Sequence, residues 1–183
     1  MYLRICVTGR PGIGKSTVVS KVINRLRSMG YRVGGIICPE ERVGGRRVGF
    51  KIIDLLTGRE GWLAKVPVGN VCPYSLTHGK YCIILSDVIN VGVNALKKAS
   101  QESDVLVIDE VGPMELKVPE LRSEIINILK SFSKPLIAVV HYRLRDFEIK
   151  NILRGCRYFE VTFRNRDYLP NEILKMVLNS LRT

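Results

Sequence analysis

Apolar and polar positions along this chain switch period several times, and the switches mark its elements. Leu3, Ile5 and Val7 alternate as in a strand, whereas Val18, Val19, Val22, Ile23 and Leu26 recur on one helical face until Gly30. Residues 32–38 read as a second strand around Val33-Gly34-Gly35-Ile36-Ile37, closed by Pro39. Val105-Leu106-Val107-Ile108 and Leu136 to Val140 are short unbroken apolar runs, the mark of strands buried on both faces. Between them Leu121, Ile125, Ile128, Leu129 and Phe132 predict an amphipathic helix. Further helices are expected over about Ser86 to Ser100, near Asp146 to Leu153 and from Pro170 onward, with a strand at Tyr158 to Phe163. Strands alternating with helices imply an α/β fold, a mostly parallel sheet covered by helices on both faces.

Residues 40–66 interrupt that alternation. Gly44-Gly45 divides charged residues from Val48-Gly49-Phe50-Lys51-Ile52-Ile53, and Thr57-Gly58 turns the chain again before Trp62-Leu63-Ala64. Short antiparallel strands are expected here, a hairpin region inserted into one domain that spans 1–183. Residues 67–80 carry Pro67, Gly69, Pro73 and Gly79 and read as an irregular surface segment, followed by a short strand at Tyr81 to Leu85.

The junction of the first strand and first helix holds the most specific chemistry. Residues 9–16 read Gly9-Arg10-Pro11-Gly12-Ile13-Gly14-Lys15-Ser16, with Thr17 following, a complete G-x-x-x-x-G-K-[ST] string (Walker A). A glycine-rich turn between a buried strand and a helix start aims several N–H groups at one point, and the helix dipole adds positive charge there. A nucleoside triphosphate fits such a site. Lys15 is expected on the β- and γ-phosphates, and the Ser16 hydroxyl on Mg²⁺.

The run Val105–Ile108 ends in Asp109-Glu110. Acids at the C-terminal end of a buried strand stand where open α/β sheets bind ligands. Asp109 suits the Walker B role of holding Mg²⁺ opposite Ser16, and Glu110 that of a general base on water. A water-activating acid serves hydrolases rather than small-molecule kinases. In that class an extra strand separates the loop strand from the acid strand, and Leu136–Val140 is expected to fill the slot. His141 would then end near the γ-phosphate, either as a sensor or as a hydrogen-bonded structural residue. Arg143, Arg145, Arg154, Arg164 and Arg166 follow, and any of them is a candidate for charge stabilisation in cis or across a dimer.

Composition adds bounds. The chain has 183 residues and a net charge of +12, and residues 1–39 contain seven Arg and Lys and no acid. That basic face either raises local anion concentration or offers a footprint to nucleic acid, although no nucleic-acid-binding module is evident. Cys6, Cys38, Cys72, Cys82 and Cys156 form no C-x-x-C pair, which points to free thiols rather than zinc. Gln101 is the one glutamine, a lean toward a thermophile, in which an intracellular disulfide is admissible. No stretch approaches the ~18 apolar residues of a membrane span, and the first strand begins at once, so a cytoplasmic location is expected.

Taken together, these residues resemble the thermophile nucleoside-triphosphatases, relatives of the human cancer-related NTPase within the P-loop NTPase superfamily. The resemblance rests on the phosphate loop and on Asp109-Glu110-Val111-Gly112-Pro113-Met114-Glu115, similar to D-E-[IV]-G-x-M-E. It also rests on Glu40, Arg42 and Arg47-Val48-Gly49-Phe50, on Gly79-Lys80-Tyr81 and on Asn165-Arg166-Asp167. It implies a three-layer, RecA-like ATPase fold and Mg²⁺-dependent hydrolysis of ATP, GTP and other triphosphates, slow and broad in base preference. Cys38-Pro39 and His141 depart from the family pattern. Arg166 is matched, with base contact, phosphate contact and structure all open as its task. Two readings stand beside hydrolysis: a nucleotide or small-molecule kinase with residues 40–66 as a lid, and a triphosphate-dependent nucleic-acid-binding protein.

Overall fold

Strands whose side chains are buried on both faces build the centre of the sheet. The computed structural model describes residues 3–67, 69, 72, 76–131 and 133–182; Pro73 and Phe132 lie outside the described residues. In chain order the first strands are β1 (Arg4–Thr8), β2 (Val33–Ile37), β3 (Glu40–Val43), β4 (Arg46–Asp54) and β5 (Glu60–Lys65). They are followed by β6 (Thr77–His78), β7 (Tyr81–Ile83), β8 (Val105–Val111), β9 (Leu136–Val140) and β10 (Arg157–Glu160). All ten join one sheet in the order β10-β1-β9-β8-β2-β4-β5-β7-β6, with β3 paired to β4. From β10 to β2 the pairing is parallel; from β2 outward it is antiparallel. β9 occupies the slot between β1 and β8, as the paired acids led us to expect.

Helices cover both faces. On one side α1 (Lys15–Ser28) and α6 (Leu169–Leu181) pack with Ile5, Val7, Val105, Val107, Ile137 and Val139. On the other, α2 (Leu85–Asp87), a π-helical stretch Val88–Val93 and α3 (Asn94–Glu102) run on without a break. They share their core with α4 (Pro119–Ser131), α5 (Phe147–Leu153), Leu106, Ile108 and Ala138. Alternate residues of β8 therefore enter opposite cores, which is why its sequence is apolar without a break. The helix expected over 86–100 widens into a π stretch that contains Gly92, where a Cβ would stand 2.4 Å from Cδ1 of Ile52.

Two boundaries and the state of the cysteines differ from expectation. The strand expected at 158–163 is Arg157–Glu160, because Asn165 ties the next residues into a turn: Thr162 N–H donates to Asn165 Oδ1 at 2.8 Å. The inserted antiparallel region does not stop at 66, since β7 pairs with β5 and β6 with β7. The cysteines are not all free. Cys72 and Cys82 form a disulfide, while Cys6, Cys38 and Cys156 remain thiols. The hairpin that doubles the chain back from β6 to β7 sets Cys82 opposite Thr77 in the ladder.

Candidate active site

The loop between β1 and α1 owes its shape to three glycines with positive φ: Gly9 at 143°, Gly12 at 76° and Gly14 at 108°. A side chain at Gly9 would also press within 2.9 Å of the Val161 carbonyl. Ile13 is buried and pins the loop to the α1–α6 core, and its N–H donates to the Arg10 carbonyl at 3.2 Å. Arg10, Pro11, Ser16 and Thr17 stay exposed. At the helix start Gly14 is left-handed, no side chain caps the first turn, and no acid stands in it. The unpaired first-turn N–H groups and the dipole thus face the cleft uncompensated, an arrangement that attracts an oxyanion.

β8 brings the acids to the same place. Ile37 on β2 and Val139 on β9 flank Asp109 in register. Beyond it the register with β9 shifts between Asp109 and Val111, a bulge that re-aims side chains. Both Asp109 and Glu110 line one cleft with Gly12, Gly14, Lys15, Ser16 and Thr17. Asp109 is buried and its carboxylate accepts a hydrogen bond from the Ser16 hydroxyl. Burial pushes its pKa up to about 6; the Ser16 bond opposes this and the Glu110 charge adds to it. The Lys15 ammonium lies 4.0 Å from Oε2 of Glu110. Burial raises the Glu110 pKa, and Lys15 holds it back.

His141, at the end of β9, lines the same cleft. Its Nδ1 accepts from the Arg143 N–H at 3.2 Å, which leaves the imidazole oriented. Burial lowers its pKa, helped by the Lys15 and Arg143 charges, so the ring is neutral near pH 7. The structure thus brings Lys15, Ser16, Asp109, Glu110 and His141 together. Arg166 stands at the other flank of the loop, its Cδ 4.0 Å from where a Cβ on Gly14 would lie. Of the hairpin residues, Arg42 pairs with Glu40 at 2.9 Å, and Arg47 pairs with the same carboxylate. Two arginines of α1 have structural partners, Arg25 on Asn171 and Arg27 on the Leu55 carbonyl.

Several residues that the sequence reading did not assign to the site also enter the cleft. It has a volume of about 620 Å³ and continues past Glu110 to Arg47, Phe50, His78 and Tyr81. Phe50 and Tyr81 meet edge to face at 5.2 Å, with the Arg47 guanidinium 5.4 Å from the Phe50 ring centre. Glu115 is buried beneath the acids, and burial plus the Glu110 charge push its pKa up to about 8. A Cβ at Gly112 would meet Glu115 Oε2 at 2.8 Å and Glu110 Oε1 at 2.9 Å, so any larger residue there displaces one of the two carboxyls. Cys38 also lines the cleft, its thiol pushed well up by burial and by the Glu115 charge.

This geometry has close counterparts. A family model described as NTPase matches residues 4–174. The nucleoside-triphosphatase THEP1 of Thermofilum pendens is 44% identical over 174 residues, which cover 93% of each chain. The crystal structure of THEP1 from the hyperthermophile Aquifex aeolicus superposes with a TM-score of 0.80 at 28% identity, covering 96% of this chain and 99% of that one. The solution structure of a human cancer-related nucleoside triphosphatase gives 0.75 at 29% identity, over 97% and 98% of the two chains. The two solved structures share the fold of this chain, and the chain belongs to the NTPase family.

Proposed function

We propose that this nucleoside-triphosphatase hydrolyses ATP, GTP and other triphosphates to the diphosphate and phosphate, slowly, with Mg²⁺ and with little preference for the base. The observation that carries the reading is the convergence of Lys15, Ser16, Asp109 and Glu110 on one cleft at an uncapped helix start.

The donor set suits magnesium. Among the described residues no group of three or more His, Cys, Asp or Glu could hold a metal. Magnesium at phosphate sites needs only one or two protein oxygens, the rest coming from phosphate and water. The Ser16 hydroxyl and the Asp109 carboxylate, already in contact, are those oxygens. When bound, the ion supplies positive charge to the β- and γ-phosphate oxygens.

The chain's own residues supply the remainder. Loop amides and Lys15 bind and orient the triphosphate, and the same contacts gain strength as charge spreads over the γ-phosphoryl oxygens. Glu110 orients a water and takes its proton as the oxygen attacks phosphorus. Burial raises the Glu110 pKa, and the adjacent Lys15 charge opposes that rise and so favours the ionised base. His141, neutral and fixed by Arg143, is placed to hydrogen-bond the γ-phosphate.

A second reading, phosphoryl transfer to an acceptor, draws support from the aromatic end of the cleft at Phe50 and Tyr81. Measuring diphosphate and free phosphate with and without candidate acceptor alcohols separates the two. Stoichiometric phosphate release in the absence of any acceptor is the expected result; consumption that requires an acceptor rejects hydrolysis.

A further inference from the structure

Contacts to the triphosphate leave the nucleobase unaccounted for. Its direction follows from the order of the strands, given the triphosphatase reading on which this inference rests. With the γ end facing Glu110 on β8, the nucleoside leaves on the opposite side of β1, where β10 and the turn after it stand. That turn abuts the phosphate loop through Arg166 and Gly14. Within it Phe163 is 74% exposed, and the Arg166 guanidinium lies over the ring at 5.1 Å.

The turn is firmly built. Thr162 N–H donates to Asn165 Oδ1 at 2.8 Å, and Asn165 Nδ2 donates to the Glu160 carbonyl at 2.7 Å. Arg166 N–H donates to the Thr162 carbonyl at 3.1 Å, and Leu169 N–H to that of Asn165 at 2.9 Å. A large ring held out in water by so many bonds buries nothing in the core. It is, however, a flat surface at the correct end of an anion site.

We propose that Phe163 and Arg166 form a stacking platform for the base of the bound nucleotide, reading its π-face and not its hydrogen-bonding edge. Every base has such a face, and aromatic and guanidinium groups both stack on it. Asn165, an amide able to read a base edge, spends both its polar ends inside the turn. Broad base acceptance follows from that allocation.

The test is a binding titration of the whole chain, in Mg²⁺, with non-hydrolysable ATP, GTP, CTP and UTP analogues and with inorganic tripolyphosphate, which has no base. Phe163→Ala is expected to weaken all four nucleotides about tenfold, purines most, and to cut their advantage over tripolyphosphate by the same factor. Phe163→Tyr restores affinity to within about twofold, since it keeps the ring. Thermal unfolding of each variant checks that the exposed position leaves folding intact. Equal losses for nucleotide and tripolyphosphate, or no loss for any nucleotide, overturn the platform. Lys15→Ala is the separate control: if it binds tripolyphosphate as the wild type does, the phosphate-loop reading itself has failed.

Discussion

The Lys15 ammonium and the Glu110 carboxylate stand 4.0 Å apart although Lys15 opens α1 after β1 and Glu110 lies on β8, two strands that β9 separates. In the proposed reaction a bound γ-phosphate competes with Glu110 for that ammonium. Glu110→Gln therefore removes both the proposed base and a negative charge beside Lys15. Hydrolysis is expected to fall by about 10²–10⁴, with affinity for the triphosphate unchanged or higher. Single-turnover assays with labelled triphosphate read both quantities, and a near wild-type rate would reject Glu110 as the base.

Lys15→Ala should weaken triphosphate binding by about a hundredfold, the scale of a lost charge-assisted contact, and abolish turnover. It also strips Glu110 of the cation that opposes its burial. Any residual activity should therefore have its acid limb displaced to higher pH. Isothermal titration and a pH–rate profile measure the two effects.

Glu115 sets a pH signature on stability. Its folded pKa is raised to about 8 from an ordinary 4.5 by burial first and the Glu110 charge second. The folded state thus binds more protons than the unfolded one across that window. Its stabilising effect is complete below about pH 4.5 and is lost as pH rises through 8. Denaturant melts of wild type and Glu115→Gln at pH 5 and pH 8.5 should show the variant losing less stability between the two. Parallel losses would mean that Glu115 ionises freely.

Gly35→Ala should be among the most damaging substitutions. Gly35 on β2 has φ 109°, and an added Cβ would stand 1.9 Å from the Val107 carbonyl of β8. Strain and overpacking together cost about 3 kcal/mol or more, or roughly 10 °C in Tm, and β8 would carry the shift to Asp109. Scanning calorimetry alongside activity checks both.

Reducing the Cys72–Cys82 disulfide, which spans a separation of 10 residues, should cost about 2–3 kcal/mol by the chain-entropy account. Melting with and without a phosphine reductant, using Cys72→Ser as the control, measures it.

The phosphate loop, β8, β9 and the acids were legible because each is local: a contiguous string, or an apolar run with an acid at its end. The slot of β9 followed from chemistry, since a water-activating acid implies an intervening strand. What sequence reading missed depends on non-local pairing. Phe50, His78 and Tyr81 meet only because β4, β5, β7 and β6 fold into one antiparallel run, and no spacing along the chain announces that. Cysteine pairing was invisible for the same reason, five thiols at irregular intervals offering no framework. The end of β10 was overestimated because Val161 and Phe163 look like strand residues, whereas Asn165 bends the backbone away and leaves Phe163 exposed. The buried state of Glu115 was equally hidden, because an acid in the linear sequence carries no mark of what covers it.

The antiparallel annex joins the parallel sheet through a narrow seam, two residue pairs between β2 and β4: Ile36 with Asp54 and Ile37 with Ile53. The parallel strands, by contrast, are locked by four or five pairs each. A change in strand-pairing density therefore runs along the cleft, with Lys15, Asp109 and Glu110 on the densely paired side and Phe50 and Tyr81 on the sparsely paired one. Hydrogen exchange should resolve two tiers of amide protection along that line. Evolution could recut the sparsely paired side for new guests without loosening the phosphate grip.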